Sequence, residues 1–211
     1  MRMKKSLKNA GLLLLLVFIG YNSVYFKSLK DVKAGVETFN AAAYANRFFH
    51  QQLLPLSDSA VQLTDLLVLL KANKEEAFGR YGHSLSIGSI NYLLVKGEGI
   101  ATAINANTVA LRLPADSLGT TPEIATEFVF GNAIRDASGK IKLSEFSNLT
   151  DVNNTSMELN KIVRTKVLPP FKKEVKEGSH VRFYGAVELN KDRLNLDDIE
   201  IIPIQLQVVN Q

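Results

Sequence analysis

The run "NAIRDASG", residues 132–139, sets an arginine beside an aspartate just ahead of a turn. The Arg135 guanidinium offers a planar fork of donors that can grip a carboxylate, a phosphate or sugar hydroxyls. A structural reading stands beside this one, because Asp136 and Ser138 are ordinary turn formers and Arg135 can pair with a nearby acid. Arg135 and Asp136 are the first candidate ligand-binding residues, and Tyr92, Lys96 and Tyr184 complete the set. Tyr92 and Tyr184 belong with Phe128, Phe130 and Phe183 to the aromatics on strand-like runs. Exposed rings of that kind stack on bases or sugar rings, and buried ones serve the core. Lys96 and Glu98 flank Gly97 in "VKGEG" and project from one strand face, as a surface ion pair would. Gly97 and Gly99 form no phosphate loop, because the Gly-Lys-Ser/Thr ending is missing, and they read as a strand bulge or kink.

Other reactive patterns are missing from the sequence. His50, His83 and His180 stand apart, without the partner at i+3 or i+4 that a helical metal site uses. Glu177, near His180, reads as part of a turn. No G-x-S-x-G elbow occurs. The paired carboxylates Glu75-Glu76 and Asp197-Asp198 fall at a helix start and a turn, whereas acid–base catalysis needs carboxyls opposed across a cleft. The expectation is a protein that is not an enzyme, with no catalytic residue, no metal and no cofactor.

The elements that must carry these residues follow from periodicity. Leu29, Val32, Val36, Phe39 and Ala43 recur at steps of three and four, which predicts a helix running to about Leu54 and stopping before Pro55. A second helix is expected from a cap at Ser57 or Asp58, with Leu63, Leu66, Leu67 and Leu70 on one face. A third is expected from Asn73, with Glu75 and Glu76 in its first turn and glycines at its end. From Gly88 the texture turns to β-branched strands: "SINYLLVKGEGIATAI", then "NTVALRLP" after the turn "NAN". "EIATEFVFGNAIRDA" reads as a third strand, with Ile124, Thr126, Phe128 and Phe130 on one face, and "IKLSEF" as a shorter run. A helix follows with Thr155 and Glu158 at capping-box spacing, and Pro169-Pro170 ends it. Two strands close the chain. In the first, Val181, Phe183, Val187 and Leu189 alternate with Arg182, Tyr184 and Glu188. In the second, Ile202, Ile204, Leu206 and Val208 share a face, and Pro203 suggests an edge.

Three strands, a helix and two strands is the order of an OB-type barrel, whose closure hides most strand edges. The fold class expected is therefore α+β, an OB-like five-stranded β-barrel with one helix between its third and fourth strands, preceded by a helical segment and a transmembrane anchor. The expected divisions are a basic tail over 1–8, an anchor over 9–26, a helical segment over 27–87 and the barrel over 88–211. The boundary is placed between Gly82 and Gly88.

The anchor rests on charge and length. Arg2, Lys4, Lys5 and Lys8 precede any acid, and the 18 residues from Asn9 to Phe26 carry no charge. As a helix they span about 27 Å, close to a hydrocarbon core of roughly 30 Å. A cleaved secretory signal shares the basic start and apolar middle, but "YNSVYF" after Gly20 offers no small-residue cut site. A lipid anchor needs a cysteine, and the chain has none. A buried core helix fits poorly with five leucines in a row. The best reading is an uncleaved signal anchor with the bulk of the chain outside the cytoplasm, by the positive-inside tendency. Lys27, Lys30 and Lys33 on the far side pull against that orientation.

Composition narrows the partners. Zero cysteines exclude a disulfide framework and a thiol nucleophile. Of 25 basic residues four precede the anchor, so the part beyond Phe26 has 21 basic and 21 acidic residues. A net charge of zero gives no support to a duplex-binding surface, which draws its affinity from neutralised phosphates. The partners expected are the cytoplasmic membrane, through the N-terminal helix, and a transporter or envelope protein; nucleic acid is disfavoured.

Four stretches, "YGHSLSIGSINYLLVKGEG", "GNAIRDASGKIKLSEFSN", "ELNKIVRTKVLPP" and "GSHVRFYGAVELN…IEIIPIQLQV", resemble in order and spacing the bacterial family of predicted periplasmic lipoproteins called domain-of-unknown-function family 2291. The resemblance runs from about Phe39 to Val208 and implies an OB-like barrel, an extracytoplasmic location and attachment to the inner membrane. It carries over no catalytic residue, and this chain departs from the family in lacking the lipidated cysteine. The function expected is a membrane-tethered periplasmic binding or accessory module, linked to solute or sugar transport. The alternatives are an oligonucleotide-binding OB protein and a structural partner of an envelope complex.

Overall fold

The computed structural model describes residues 39–85, 87–114 and 119–209, with Ala10, Leu12 to Leu15, Phe18, Ile19 and Tyr21 nearer the N-terminus. The chain divides into two units, Met1–Phe39 and Asn40–Gln211. In the first, Ala10, Leu12 to Leu15, Phe18, Ile19 and Tyr21 are helical, and Leu12 to Leu15, Phe18 and Ile19 are 50–69% exposed. Among the described residues, no helix is long and apolar enough to cross a membrane. The anchor expected over 9–26 and the stripe from Leu29 to Val36 fall largely outside the described residues.

The second unit is built on seven strands: β1 (Val61–Gln62), β2 (Gly82–His83), β3 (Ile90–Ile104), β4 (Thr108–Arg112), β5 (Glu123–Ala125), β6 (His180–Asn190) and β7 (Glu200–Val209). The 15-residue β3 is long enough to serve two neighbours. Its first part pairs antiparallel with β6, from Ile90↔Asn190 to Ile100↔His180, and its last part with β4, from Ile100↔Arg112 to Ile104↔Val109. β4 pairs with β5, β5 runs parallel to β7, and β7 pairs with β6, so the ring β3-β4-β5-β7-β6 closes on itself. This is the OB-like five-stranded barrel expected from the strand order. The short strands β1 and β2 pair with β3 at Val61↔Val95 and Gly82↔Leu93. Those pairings bridge the stretch between Gly82 and Gly88, and residues 40–211 make one unit.

Alternation along the strands produces two cores. Leu93, Val95, Leu111, Ile124, Phe183 and Ile201 fill the barrel interior, where Leu63, Leu66, Leu67 and Leu70 of α2 (Leu63–Ala72) and Phe78 of α3 (Lys74–Tyr81) join them. Burying each such side chain contributes about 1.5–3 kcal/mol. The opposite faces of the same strands, with Tyr92, Tyr184, Ala186, Ile202 and Ile204, meet a second cluster. That cluster is completed by Phe48, Phe49 and Leu53 in and after α1 (Ala41–Phe48), by Ile134 of α4 (Ala133–Asp136) and by Leu159 of α5 (Leu149–Ile162).

Several local expectations are corrected. The first helix does not stop before Pro55: α1 passes through a π-turn, Phe49–Leu53, into a 3-10 helix, Leu54–Ser59, that holds Pro55 near its start. Ser57 and Asp58 lie in that 3-10 helix and do not cap α2. The third strand ends at Ala125, so Phe128 and Phe130 lie beyond it, and "NAIRD" forms the single turn α4. "IKLSEF" contains a 3-10 turn, Leu143–Glu145. α5 starts two turns before Thr155, at Asn148, whose side chain accepts the Asp151 N–H at 2.9 Å. Thr155 sits inside the helix and donates to the Asp151 carbonyl. Pro169 and Pro170 do not end the helical run; after a π-turn they occupy the first turn of α6 (Leu168–Glu174), where a missing N–H is harmless. At Pro203 β7 is paired only with β6, because its pairing with β5 stops at Ile124↔Ile201, so this residue keeps one unpaired side as expected. It sits at a β-bulge where Tyr184 faces Gln205 and Gly185 faces Pro203. The pairing of β3 with β6 is unbroken through Gly97 and Gly99; the bulge in β3 lies between Ala101 and Ala103.

A polar cleft on the barrel wall

Four strands set polar side chains abreast on the outer wall of the barrel. The register places Gln62, Lys96, Tyr184 and Gln205 in one row across β1, β3, β6 and β7. Glu98, Arg182 and Gln207 form the next row. With Ser57 and Asp58 from the 3-10 helix they line a cleft of about 360 Å³, which is within the range of small-ligand sites.

The bulge in β7 makes the second part of these rows. Ile202 and Ile204 belong to the outer cluster, and strict alternation would carry Leu206 and Val208 along with them. The extra residue at the bulge shifts the phase, so Gln205 and Gln207 point to the outer wall and line the cleft, while Val208 packs on the barrel interior. Bulges commonly re-aim side chains in this way. Gly185, opposite the bulge, has no room for a side chain: a Cβ would lie 2.6 Å from the Ile202 carbonyl.

The polar groups in the cleft are fixed to different degrees. Lys96 Nζ donates to the Asp58 carbonyl at 2.6 Å. The Tyr184 hydroxyl donates to the Leu53 carbonyl at 2.9 Å, and burial drives its pKa well above the ordinary tyrosine value. Both side chains therefore tie the N-terminal segment to the barrel. Arg182 Nε donates to Glu98 Oε1 at 2.6 Å, with both side chains about half exposed. The pair expected between Lys96 and Glu98 does not form; Glu98 takes Arg182 instead. The exposed carboxamides, with the Arg182 guanidinium and the Glu98 carboxylate, can hydrogen-bond a compact polar solute from several directions.

The other candidate residues lie elsewhere. Arg135 and Asp136 are in α4, with side chains 6% and 3% exposed. Arg135 donates to both Asp136 oxygens, at 2.5 and 2.9 Å. Both residues are helical, not at a strand end. Tyr92 is buried next to them, opposite Glu188 in the β3–β6 register. Burial first, then the negative charges of Glu188 and Asp136, push its pKa up to about 12, with Arg135 pulling the other way. The structure thus brings Lys96 and Tyr184 into the cleft and gathers Arg135, Asp136 and Tyr92 separately. Arg182, Glu98, Gln205 and Gln207 were absent from the candidate set. The alternation of β6 could have indicated Arg182; nothing in the sequence marks the bulge that turns Gln205.

Of the strand aromatics, Phe183, Tyr184 and Tyr92 are buried, whereas Phe128 and Phe130 are about 60% exposed, with ring centroids 6.4 Å apart. They border a cavity of about 510 Å³ lined by Glu123, Glu188, Asp198 and Glu200. Burial, followed by repulsion from Asp198, Glu123 and Glu188, raises the Glu200 pKa. Four carboxylates beside the exposed rings oppose a phosphate backbone there. Among the described residues no three His, Cys, Asp or Glu side chains are placed so as to hold a metal ion.

A protein-family model described as predicted periplasmic lipoprotein (DUF2291) matches residues 14–207. A solved OB-fold protein from Thermotoga maritima superposes with a TM-score of 0.71 at 25% identity, covering 82% of this chain and all of the other. No curated protein matches. The barrel, the register and the family match over 14–207 agree: the chain belongs to the DUF2291 family of predicted periplasmic lipoproteins.

Proposed function

We propose that the chain is a non-enzymatic, membrane-tethered module on the outer side of the cytoplasmic membrane that binds a small polar solute in the barrel-wall cleft. The observation that carries this reading is the pair of cross-strand rows, Gln62-Lys96-Tyr184-Gln205 and Glu98-Arg182-Gln207, with carboxamides and both charges facing one cleft. Its groups are donors and acceptors without a nucleophile beside a base, which suits retention better than turnover. The helical, exposed Leu12 to Leu15 and Ile19 support a tether, since exposed apolar side chains on a helix favour lipid. The chain has no cysteine to carry a lipid, which favours that segment as the tether.

The test is a calorimetric titration of the full chain in nanodiscs with single sugars, other polyols and zwitterionic amino acids. Saturable binding of one class is expected, weakened about tenfold or more by Arg182→Ala, because a charge-assisted hydrogen bond is lost. Steady hydrolysis of any of these compounds would overturn the reading. So would binding confined to single-stranded DNA and abolished by salt. An accessory role beside a transporter predicts that crosslinking in cells recovers a membrane transport protein.

A further inference from the structure

Away from the barrel-wall cleft, α5 and the turn before α4 line a third hollow, of about 340 Å³. Its most telling atom is Asn160 Oδ1. Asn160 is 3% exposed and lines the cavity. Its Nδ2 donates to the Gly131 carbonyl at 2.9 Å, which fixes the amide so that Oδ1 is the free end. Among the described residues that oxygen has no hydrogen-bond partner. Buried polar atoms are nearly always paired, and an unpaired acceptor on a residue that lines a cavity calls for a donor.

The remaining walls define the rest of the occupant. Phe130 and Met157 present apolar surface and are about 60% exposed. Lys161 and Arg164 supply positive charge at the rim. Lys161 is partly neutralised by Glu158 at 3.1 Å, which leaves Arg164 as the stronger cation. Arg164 donates to the Val129 carbonyl, and its guanidinium lies 4.9 Å from the centre of the Phe130 ring. A cation at this distance is attracted to the ring face, and a guanidinium has more N–H donors than the one spent on Val129. An apolar wall, a bare acceptor inside and a held guanidinium at the mouth select one kind of molecule.

We propose that this cavity binds a small organic carboxylate with a ring-like apolar body and a hydroxyl or N–H donor. The donor meets Asn160 Oδ1, the body lies against Phe130 and Met157, and the carboxylate reaches Arg164. The site is separate from the barrel-wall cleft and does not depend on the function proposed for it. A nucleic acid strand fits poorly, because Phe130 also borders the cavity with four carboxylates.

The experiment titrates the isotope-labelled full chain in nanodiscs with 4-hydroxyphenylacetate, phenylacetate and 4-hydroxyphenylethanol. Shifts at Asn160, Gly131 and Phe130 are followed by NMR. The hydroxy acid is expected to bind most tightly, with phenylacetate weaker by about tenfold or more because the buried acceptor stays unpaired. Loss of the carboxylate is expected to weaken binding similarly. Arg164→Gln should lower affinity for the two acids and leave the alcohol unaffected, and Phe130→Leu should weaken all three. Asn160→Leu, which removes the acceptor, should erase the preference for the hydroxylated acid while thermal melting reports that the fold is kept. Equal affinity for all three compounds overturns the proposal, as does the absence of shifts at these residues. Arg182→Ala in the barrel-wall cleft should leave every one of these titrations unchanged.

Discussion

The carboxylate of Asp136 takes two hydrogen bonds from the adjacent Arg135 while both side chains are almost sealed from water. A buried pair of this kind adds little net stability, because desolvation offsets most of the attraction, but breaking it leaves a bare charge. Asp136→Asn should therefore destabilise the protein by about 3–5 kcal/mol, read from denaturant unfolding. Replacing both residues with apolar ones, Arg135→Met with Asp136→Leu, should restore most of the loss. Glu200 makes a pH prediction. Its folded-state pKa lies above the ordinary glutamate value because of burial and three neighbouring carboxylates. The native state therefore holds the proton to higher pH than the unfolded chain does, and stability falls as pH rises through that window. Glu200→Gln should raise the melting temperature at neutral pH, and the advantage should vanish once the pH drops below the unfolded glutamate value. An unchanged difference at both ends would refute this account.

At the scale of elements, the bulge between β6 and β7 decides what the cleft contains. Pro203 donates nothing to the ladder, so it is tolerated where pairing is already interrupted. Gly185→Ala brings a methyl group to 2.6 Å from the Ile202 carbonyl and 2.8 Å from the Ile201 side chain. The strand must shift, and overpacking of this type costs about 1–3 kcal/mol. The same shift should displace Gln205 and Gln207 and weaken solute binding in the cleft. A variant with native affinity and stability would show that the bulge has no such role. The helices were legible in part for a related reason. The leucines of α2 repeat at helical spacing, and their burial followed. The start of α5 was misplaced because Asn148 with Asp151 caps as well as Thr155 with Glu158, and local chemistry alone does not rank two adequate caps.

At the scale of the whole molecule, the proposed tether and the barrel make separable predictions. Deleting residues 2–26 from a chain still directed out of the cytoplasm should move the protein from the membrane pellet to the soluble fraction, with the melting transition of the barrel unchanged. Retention in the pellet after that deletion would place the membrane contact elsewhere.

The sequence by itself determined the strand order, because alternation along each run requires one apolar face, and five such faces find a common core only in a closed ring. It determined the apolar leader and the balance of charge beyond it for the same reason, since both are sums over residue types. Only the tertiary structure decided which candidate side chains meet. Lys96 and Tyr184 share a cleft because strands 88 residues apart lie in register. Arg135 and Asp136 are buried because α4 packs under a helical layer. Position along the chain fixes neither, because register and burial depend on long-range pairing, and one extra residue in a strand reverses every side chain beyond it.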